Sequence, residues 1–587
     1  MPTNLRNESR FGYSQTREDA EAFLKATAVV VTPKRRGVLR FTVDAPVAVQ
    51  KTAQIHSPPR WRTTEFYFYY VVFIVVVPMM VWKPISLSQE SNPNYPLFYS
   101  RLSDGWIFGR KIDNSDAQFK TFRNNLPLLA LIAATFLIIK YMYLKLFLRS
   151  SISEDGTRLH LIPFSLSFSI IFLLGLHGAS VLKIFFILTI NYGIAKSCKS
   201  SRVTPWLTWI FNMGVLFAIE RNSGFQFSSL SPSLESLDRI TGVYARWFIP
   251  FNFTMLRLVS FNMDFYWAHK ASKFGQPILP DSAMDHKQRT TTPLDLDVYS
   301  YRNFLAYVLY PPLFLAGPIM TFNDFMWQHV RPSTVPTWKA VGRYFVRFCV
   351  CMLTMEFILH YMYVVAIKDT AAWKGDTPLE LSMVGFWNLI IVWLKLLLPW
   401  RFFRLWALAD GLEPQENMVR CMANNYSTLG FWRSWHRSFN LWIIRYIYIP
   451  LGGIKNQIVS TILIFTFVAL WHDLTFRLLA WGWLVSFFIM PEVAARYILS
   501  SAKFGNYPWY RHVCAVGGVG NILMMLGANL VGFVIGVDGI QYMVRQLFGT
   551  IEGLQFLFVA CACIFVGVQV MFEYREEEMR NGIYRKC

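Results

Sequence analysis

The chain has 587 residues, 54% hydrophobic, 17% aromatic and 16% charged, where a soluble domain carries about a quarter of its residues charged. That balance excludes an ordinary soluble globule and an intrinsically disordered chain, and it points to a polytopic membrane protein. The net charge of +21 belongs to no separate basic module, so nucleic acid is not an expected partner; Lys and Arg flanking membrane segments account for most of it, with a share left for an anionic substrate.

In chain order, residues 1–64 are polar and basic and lack the apolar core of a cleavable signal peptide. They predict a flexible N-terminal arm and leave targeting to the first apolar segment. A spanning helix needs ~20 mainly apolar residues. Segments approaching that length are Phe66–Trp82, Leu126–Leu148, Leu161–Leu176, Val181–Ala195, Trp206–Ile219, Ala306–Met320, Tyr344–Ile367 and Met383–Trp400, then Ile458–Trp471, Leu478–Ile498, Val513–Val537 and Phe556–Phe572. The expectation is an all-α polytopic membrane protein of roughly 10–12 transmembrane helices plus re-entrant or interfacial helices. It would form one membrane domain, 65–572, with a short polar tail, 573–587. The eight Cys show no CxxC pair and read as core or lipid-facing thiols.

Four stretches carry polar chemistry among apolar neighbours. In "FTMLRLVSFNMDFYW", Arg257, Asn262 and Asp264 interrupt an apolar run, and in "YPPLFLAGPIMTFNDF", Pro311, Pro312, Gly317 and Pro318 predict a broken helix at membrane depth. In "FWRSWHRSFNLWIIRYIYIPLGG", Trp432, Trp435, Phe439, Trp442 and Tyr446 recur at steps of three and four, which predicts one helix with an aromatic stripe. His436 and Asn440 then share another face, as do Arg433 and Arg437. An interfacial amphipathic helix has the same pattern. Finally, "LWHDLTF" places His472 and Asp473 between two apolar segments. An ionisable group inside a span marks a functional site by default, while a wet loop between spans is the plain alternative. No HExxH, Cys-rich or GxSxG spacing accompanies these residues, so neither a metal site nor a serine triad is expected.

Together "LAGPI", "FWRSWHRSFNLWIIRYIYIPLGG" and the "LWH" that follows resemble the membrane-bound O-acyltransferase (MBOAT) family. "WIFGRKIDNSDAQFKTFRNNLPLL" and "ALADGLEPQENMVRCMANNYSTLG" are similar to its fungal glycerol uptake branch, which is associated with remodelling glycosylphosphatidylinositol (GPI) anchors. The resemblance runs from about Glu65 to the C-terminus. It implies an MBOAT-type helical core in the endoplasmic reticulum membrane, with the plasma membrane as the alternative. The implied reaction moves a long acyl chain from acyl-CoA, a co-substrate rather than a resident cofactor, to the sn-2 hydroxyl of a lyso-GPI lipid or GPI-anchored protein. The chain departs from many relatives in having Asp473 after the key His, and His436 where sterol and diacylglycerol enzymes have Asn.

The resemblance makes His472 and His436 the expected catalytic residues. His472, with an unperturbed pKa of ~6.5, would accept the proton of the attacking hydroxyl, and His436 or Asn440 would stabilise the charge on the former carbonyl oxygen. Arg433, Arg437 and Arg445 are candidates for the CoA phosphates, with Trp435, Trp442 and Tyr446 beside them as further substrate-binding candidates. Two other readings use the same residues differently: a glycerol transporter, which would be expected to show internal repeats that the sequence lacks, and a non-catalytic MBOAT-like regulator.

Overall fold

The computed structural model describes residues 58–147, 157–274, 284–332, 336–453, 457–472, 476–583 and 585. Most of the expected N-terminal arm, and Asp473, lie outside the described residues. Among the described residues, eight helical stretches are long and apolar enough to cross a membrane, with a shorter apolar helix at Val459–His472. In lipid a helix satisfies its own backbone, so apolar runs of this length adopt no other form.

Helix α1 (Thr64–Leu87) leads to a small antiparallel hairpin, β1 (Leu102–Asp104) and β2 (Lys111–Asp113), with Leu102 opposite Asp113. Helix α2 (Ala117–Phe147) follows, then α3 (Leu161–His177) and α4 (Val181–Cys198), and α5 (Val203–Arg221). The α3–α4 turn runs through Gly178, whose φ of +57° suits glycine and where a Cβ would fall 2.2 Å from the Ile240 carbonyl oxygen.

Helix α6 (Phe248–Ala271) is the hub. Every residue from Thr254 to Phe265 is buried, polar ones included. Such a helix faces protein on all sides, and its polar groups must find partners there. Asn262 exchanges hydrogen bonds with Asn191 of α4 at 3.0–3.1 Å and donates to the Thr208 hydroxyl of α5 at 3.1 Å. Arg257 donates to the Val308 carbonyl at 2.7 Å.

The expected span Ala306–Met320 is a broken re-entrant segment instead. Helix α7 (Tyr301–Val308) stops before the prolines, α8 (Pro311–Phe314) is a single turn, and irregular chain leads to α9 (Phe322–Val330). Tyr307, Tyr310 and Phe314 are fully enclosed, so protein rather than lipid covers this non-helical backbone, as membrane depth requires. At Gly317 a Cβ would fall 2.4 Å from the Pro312 carbonyl oxygen, so only glycine allows this fold-back.

Helices α10 (Trp338–Tyr361) and α11 (Val364–Asp369) precede the 33-residue α12 (Pro378–Asp410). Helix α12 starts in a Thr377–Glu380 capping box and ends at Gly411 in the left-handed region. Short helices α13 (Thr428–Ser434) and α14 (Arg437–Ile443) carry the aromatic stripe, and the helical hairpin α15 (Gln457–His472) and α16 (Phe476–Ile498) follows. Helices α17 (Tyr510–Asn529), α18 (Gly536–Phe548) and α19 (Ile551–Arg580) complete the fold.

Candidate active site

The stripe Trp432–Tyr446 does not form one helix. Helix α13 ends at Ser434, His436 takes φ +44° and ψ +49°, α14 restarts at Arg437, and residues 444–448 widen into a π-helical turn. A left-handed conformation is costly for a residue with a Cβ, so neighbouring groups must hold it. Asn417, fully buried, accepts from the Arg437 N–H through its carbonyl at 3.0 Å and from the Ser438 N–H through its side chain at 3.2 Å. The Ser438 hydroxyl accepts from the Ile319 N–H at 2.8 Å, tying the "LAGPI" loop to the same turn. The His436 ring stacks on Trp400 of α12, with centroids 4.4 Å apart.

The second histidine stands on the last helical residue of α15. Trp471 beside it donates from its indole to the Asn252 carbonyl at 3.0 Å and packs against Phe253 of α6. Phe439 lies 4.6 Å from Trp471 and 5.1 Å from His436, centroid to centroid, so aromatic rings join the two histidines. His436 Nε2 is buried and has no hydrogen-bond partner among the described residues. A buried polar atom left without a partner calls for an explanation, and a bound substrate group supplies one.

His436 and His472 both line a cavity of about 1190 Å³. His472 is exposed, and the space it faces is this cavity. Trp435, Asn440 and Arg433 join them in the lining. The remaining candidates point elsewhere. Arg445 forms an ion pair with Asp264 of α6 at 2.8 Å and lies over the Trp267 ring, because a buried carboxylate needs a cation. Tyr446 donates to the same Asp264 oxygen at 2.9 Å. The Trp442 indole donates to the Leu256 carbonyl at 2.9 Å. Arg437 is half-buried and acts electrostatically on His286. Arg445, Tyr446 and Trp442 hold α14 and the π-helical turn against α6, and none of the four lines the cavity. Among the described residues no group of three or more His, Cys, Asp and Glu is placed to share a metal ion.

Sequence reasoning missed Trp400, Asn417 and Ser438. Pro399, inside α12, was a faint signal for the first. Nothing in the spacing marked Asn417, whose role depends on contacts twenty and twenty-one positions along the chain.

A family model described as "MBOAT, membrane-bound O-acyltransferase family" matches residues 207–537. The chain is 46% identical over 546 residues to "Membrane-bound O-acyltransferase GUP1" of Candida tropicalis, covering 91% of each chain. It is 45% identical over 542 residues to the protein of the same name from Saccharomyces cerevisiae, covering 90% of this chain and 94% of that one. Over a shorter stretch, 35% of this chain and 42% of the relative, it is 31% identical to "Protein-cysteine N-palmitoyltransferase HHAT" of Mus musculus.

Proposed function

The chain belongs to the membrane-bound O-acyltransferase family, and from that premise we propose that its cavity transfers a long acyl chain from acyl-CoA to the free sn-2 hydroxyl of a lyso-GPI anchor in the endoplasmic reticulum membrane. That it is a multi-pass membrane O-acyltransferase follows from the family and the helices; donor, acceptor and compartment are the proposal. The observation that carries the chemistry is the pair of histidines on one cavity wall, one with a buried, unpartnered Nε2.

In this reading His472 accepts the proton of the acceptor hydroxyl as its oxygen bonds to the thioester carbon. His436 donates from Nε2 to the oxygen of the tetrahedral intermediate. The carbon–sulfur bond then breaks, and the proton held by His472 passes to the CoA sulfur, a good leaving group because thiols have pKa values of ~8.5. The largely apolar cavity accommodates the acyl chain, and exposed Arg433 at its edge is the remaining arginine candidate for a CoA phosphate. Similarity over nearly the whole chain to proteins named O-acyltransferases, against about a third for the N-palmitoyltransferase, favours a hydroxyl acceptor over an amine.

The test is acyl transfer by purified protein in lipid, with labelled long-chain acyl-CoA and a lyso-GPI acceptor. His472→Ala is expected to lower kcat by ~10²–10⁴-fold and His436→Ala by ~10²–10³-fold. Transfer by His472→Ala equal to wild type would remove His472 from the chemistry. Wild-type transfer to other lysolipids but not to lyso-GPI would overturn the acceptor.

A further inference from the structure

The cavity has an arm that the histidine chemistry does not use. It runs between α2, α3 and α12, and its α2 wall changes character along its length. Gln118, Thr121 and Asn125 line it over the first turns with Phe122 among them, and Leu128, Leu129 and Ile132 line the next. On α12 the lining residues include Lys395 and Trp400, five residues or about 7.5 Å apart along the axis. Trp400 is the residue that stacks on His436. Helices α2 and α12 run in the same direction here, since Lys395 pairs with Asp116 at 2.7 Å and Phe402 packs on Phe122. Lys395 and Gln118 therefore lie to one side of Trp400 and His436, and Leu128–Ile132 lie to the other, while Leu389 and Val392 of α12 continue the lining beyond Lys395.

The apolar end lies between α2 and α3, both part of stretches long and apolar enough to cross a membrane. Helices α2 and α3 close on one another where Phe136 packs against Phe164 and Phe168. Nearer the hairpin the cavity lies between them, and its lining residues Leu128 and Ile171 are 46% and 70% exposed on two membrane-spanning helices. Sideways entry from lipid between these two helices is the path that the acceptor proposed below would take. An amphiphile lying in it would place its tail on Leu128–Ile132, its head at Lys395 and Gln118, and the group between head and tail beside His436.

We propose that Lys395, with Gln118, Thr121 and Asn125, forms the headgroup subsite of the acceptor, and that it selects lysolipids whose head carries a phosphate and hydroxyls. Lysine is a point-charge partner for phosphate, and amide and hydroxyl side chains suit sugar or inositol hydroxyls. The phosphates of CoA share this chemistry. The sideways opening favours the lipid, because a carrier that arrives from water has no use for an apolar gate. The proposal rests on the acyltransferase reading above and adds the residues that select the acceptor's head in that same cavity.

The test compares transfer from one acyl-CoA to 1-acyl-lysophosphatidylinositol and to the neutral 1-acylglycerol, for wild type, Lys395→Gln and Asp116→Asn. Both variants break the same ion pair. Asp116 also caps the start of α2 by accepting from the Phe119 N–H at 2.9 Å, and Asn keeps that acceptor. A headgroup role predicts opposite effects: Lys395→Gln lowers the preference for the anionic acceptor about tenfold through its KM, while Asp116→Asn frees the lysine and raises it. Asn125→Leu, distant from the ion pair, lowers the preference as well. Equal losses in both ion-pair variants would make Lys395 a structural residue and overturn the proposal. A change confined to the KM of acyl-CoA would assign the subsite to the donor and overturn it too. Wild type that acylates neither lipid nor lyso-GPI would fail at the earlier step, the acyltransferase reading, and so is separable from both.

Discussion

His436 carries two burdens, a side chain aimed at the cavity and a backbone in the left-handed region. They can be separated by experiment. His436→Ala and His436→Gly both remove the imidazole, but only glycine takes φ +44° without strain. The Gly variant should be more stable than the Ala variant by ~1–2 kcal/mol, read as a shift in denaturation midpoint in detergent, while both lose activity alike. Equal stabilities would mean that the turn imposes no strain. A second residue responds to pH. The Asp376 carboxyl lies in the loop before α12; burial raises its pKa to about 6, with nearby Glu380 adding to the effect and a 3.3 Å hydrogen bond from Asn94 opposing it. Because the folded pKa is raised, this group favours the folded state most at pH below its unfolded value of 3.8. That contribution is lost as pH rises to about 6 and is flat beyond. Asp376→Asn should therefore be more stable than wild type at pH 7, with the gap closing on acidification to pH ~4. A gap that does not vary with pH would show that Asp376 titrates normally.

Among the elements, the β1–β2 hairpin shows how a loop is locked to the helical core. Buried Asp113 accepts from the Val365 and Ala366 N–H groups at 3.0 and 2.9 Å, at the start of α11. Asp113→Ala leaves both donors buried without an acceptor and should cost ~2–5 kcal/mol, with Asp113→Asn keeping part of it. Calorimetry or thermal aggregation of the solubilised protein would show this, and an unchanged midpoint would mean that water replaces the carboxylate. Elements differ in how far the sequence reveals them. Apolar length alone identified α1, α2, α5 and α12, because a helix long enough to cross hydrocarbon is specified by composition. Pro311, Pro312 and Pro318 marked the re-entrant break, although the apolar residues around them still suggested a span. The break at His436 was hidden, since the periodic stripe continues through it and only Asn417, remote in sequence, holds the turn open. Helix α6 escaped for the opposite reason: Arg257, Asn262 and Asp264 lower its apolar character, and their partners lie on other helices. The site was half legible. His436 and His472 stood out by motif and Asn440 by its spacing from His436, whereas Arg445 and Tyr446 resembled substrate ligands because their partner Asp264 could not be seen from local spacing.

At the scale of the whole molecule, α6 ties early and late parts of the chain together, and the tightest tie is Asp264 with Arg445 and Tyr446. Arg445→Ala leaves a buried carboxylate without its cation and should cost ~3–5 kcal/mol. Asp264→Asn combined with Arg445→Leu should recover much of that loss, since neither an unpaired charge nor a hole remains. A double variant no better than Arg445→Ala would mean that the pair supplies more than charge balance. The same pair has a consequence for synthesis. Asp264 leaves the ribosome 181 residues before Arg445, an interval of about 9–36 s at ~5–20 residues per second. During that time a helix bearing Arg257, Asn262 and Asp264 has a carboxylate and no counter-ion, and hydrocarbon is a poor host for it. The hub helix must therefore wait, held by the insertion machinery or by the amides of α4 and α5, until the second half of the protein arrives to enclose it. A chain interrupted before residue 445 would be expected to present α6 to the quality-control apparatus as an unassembled, charged segment.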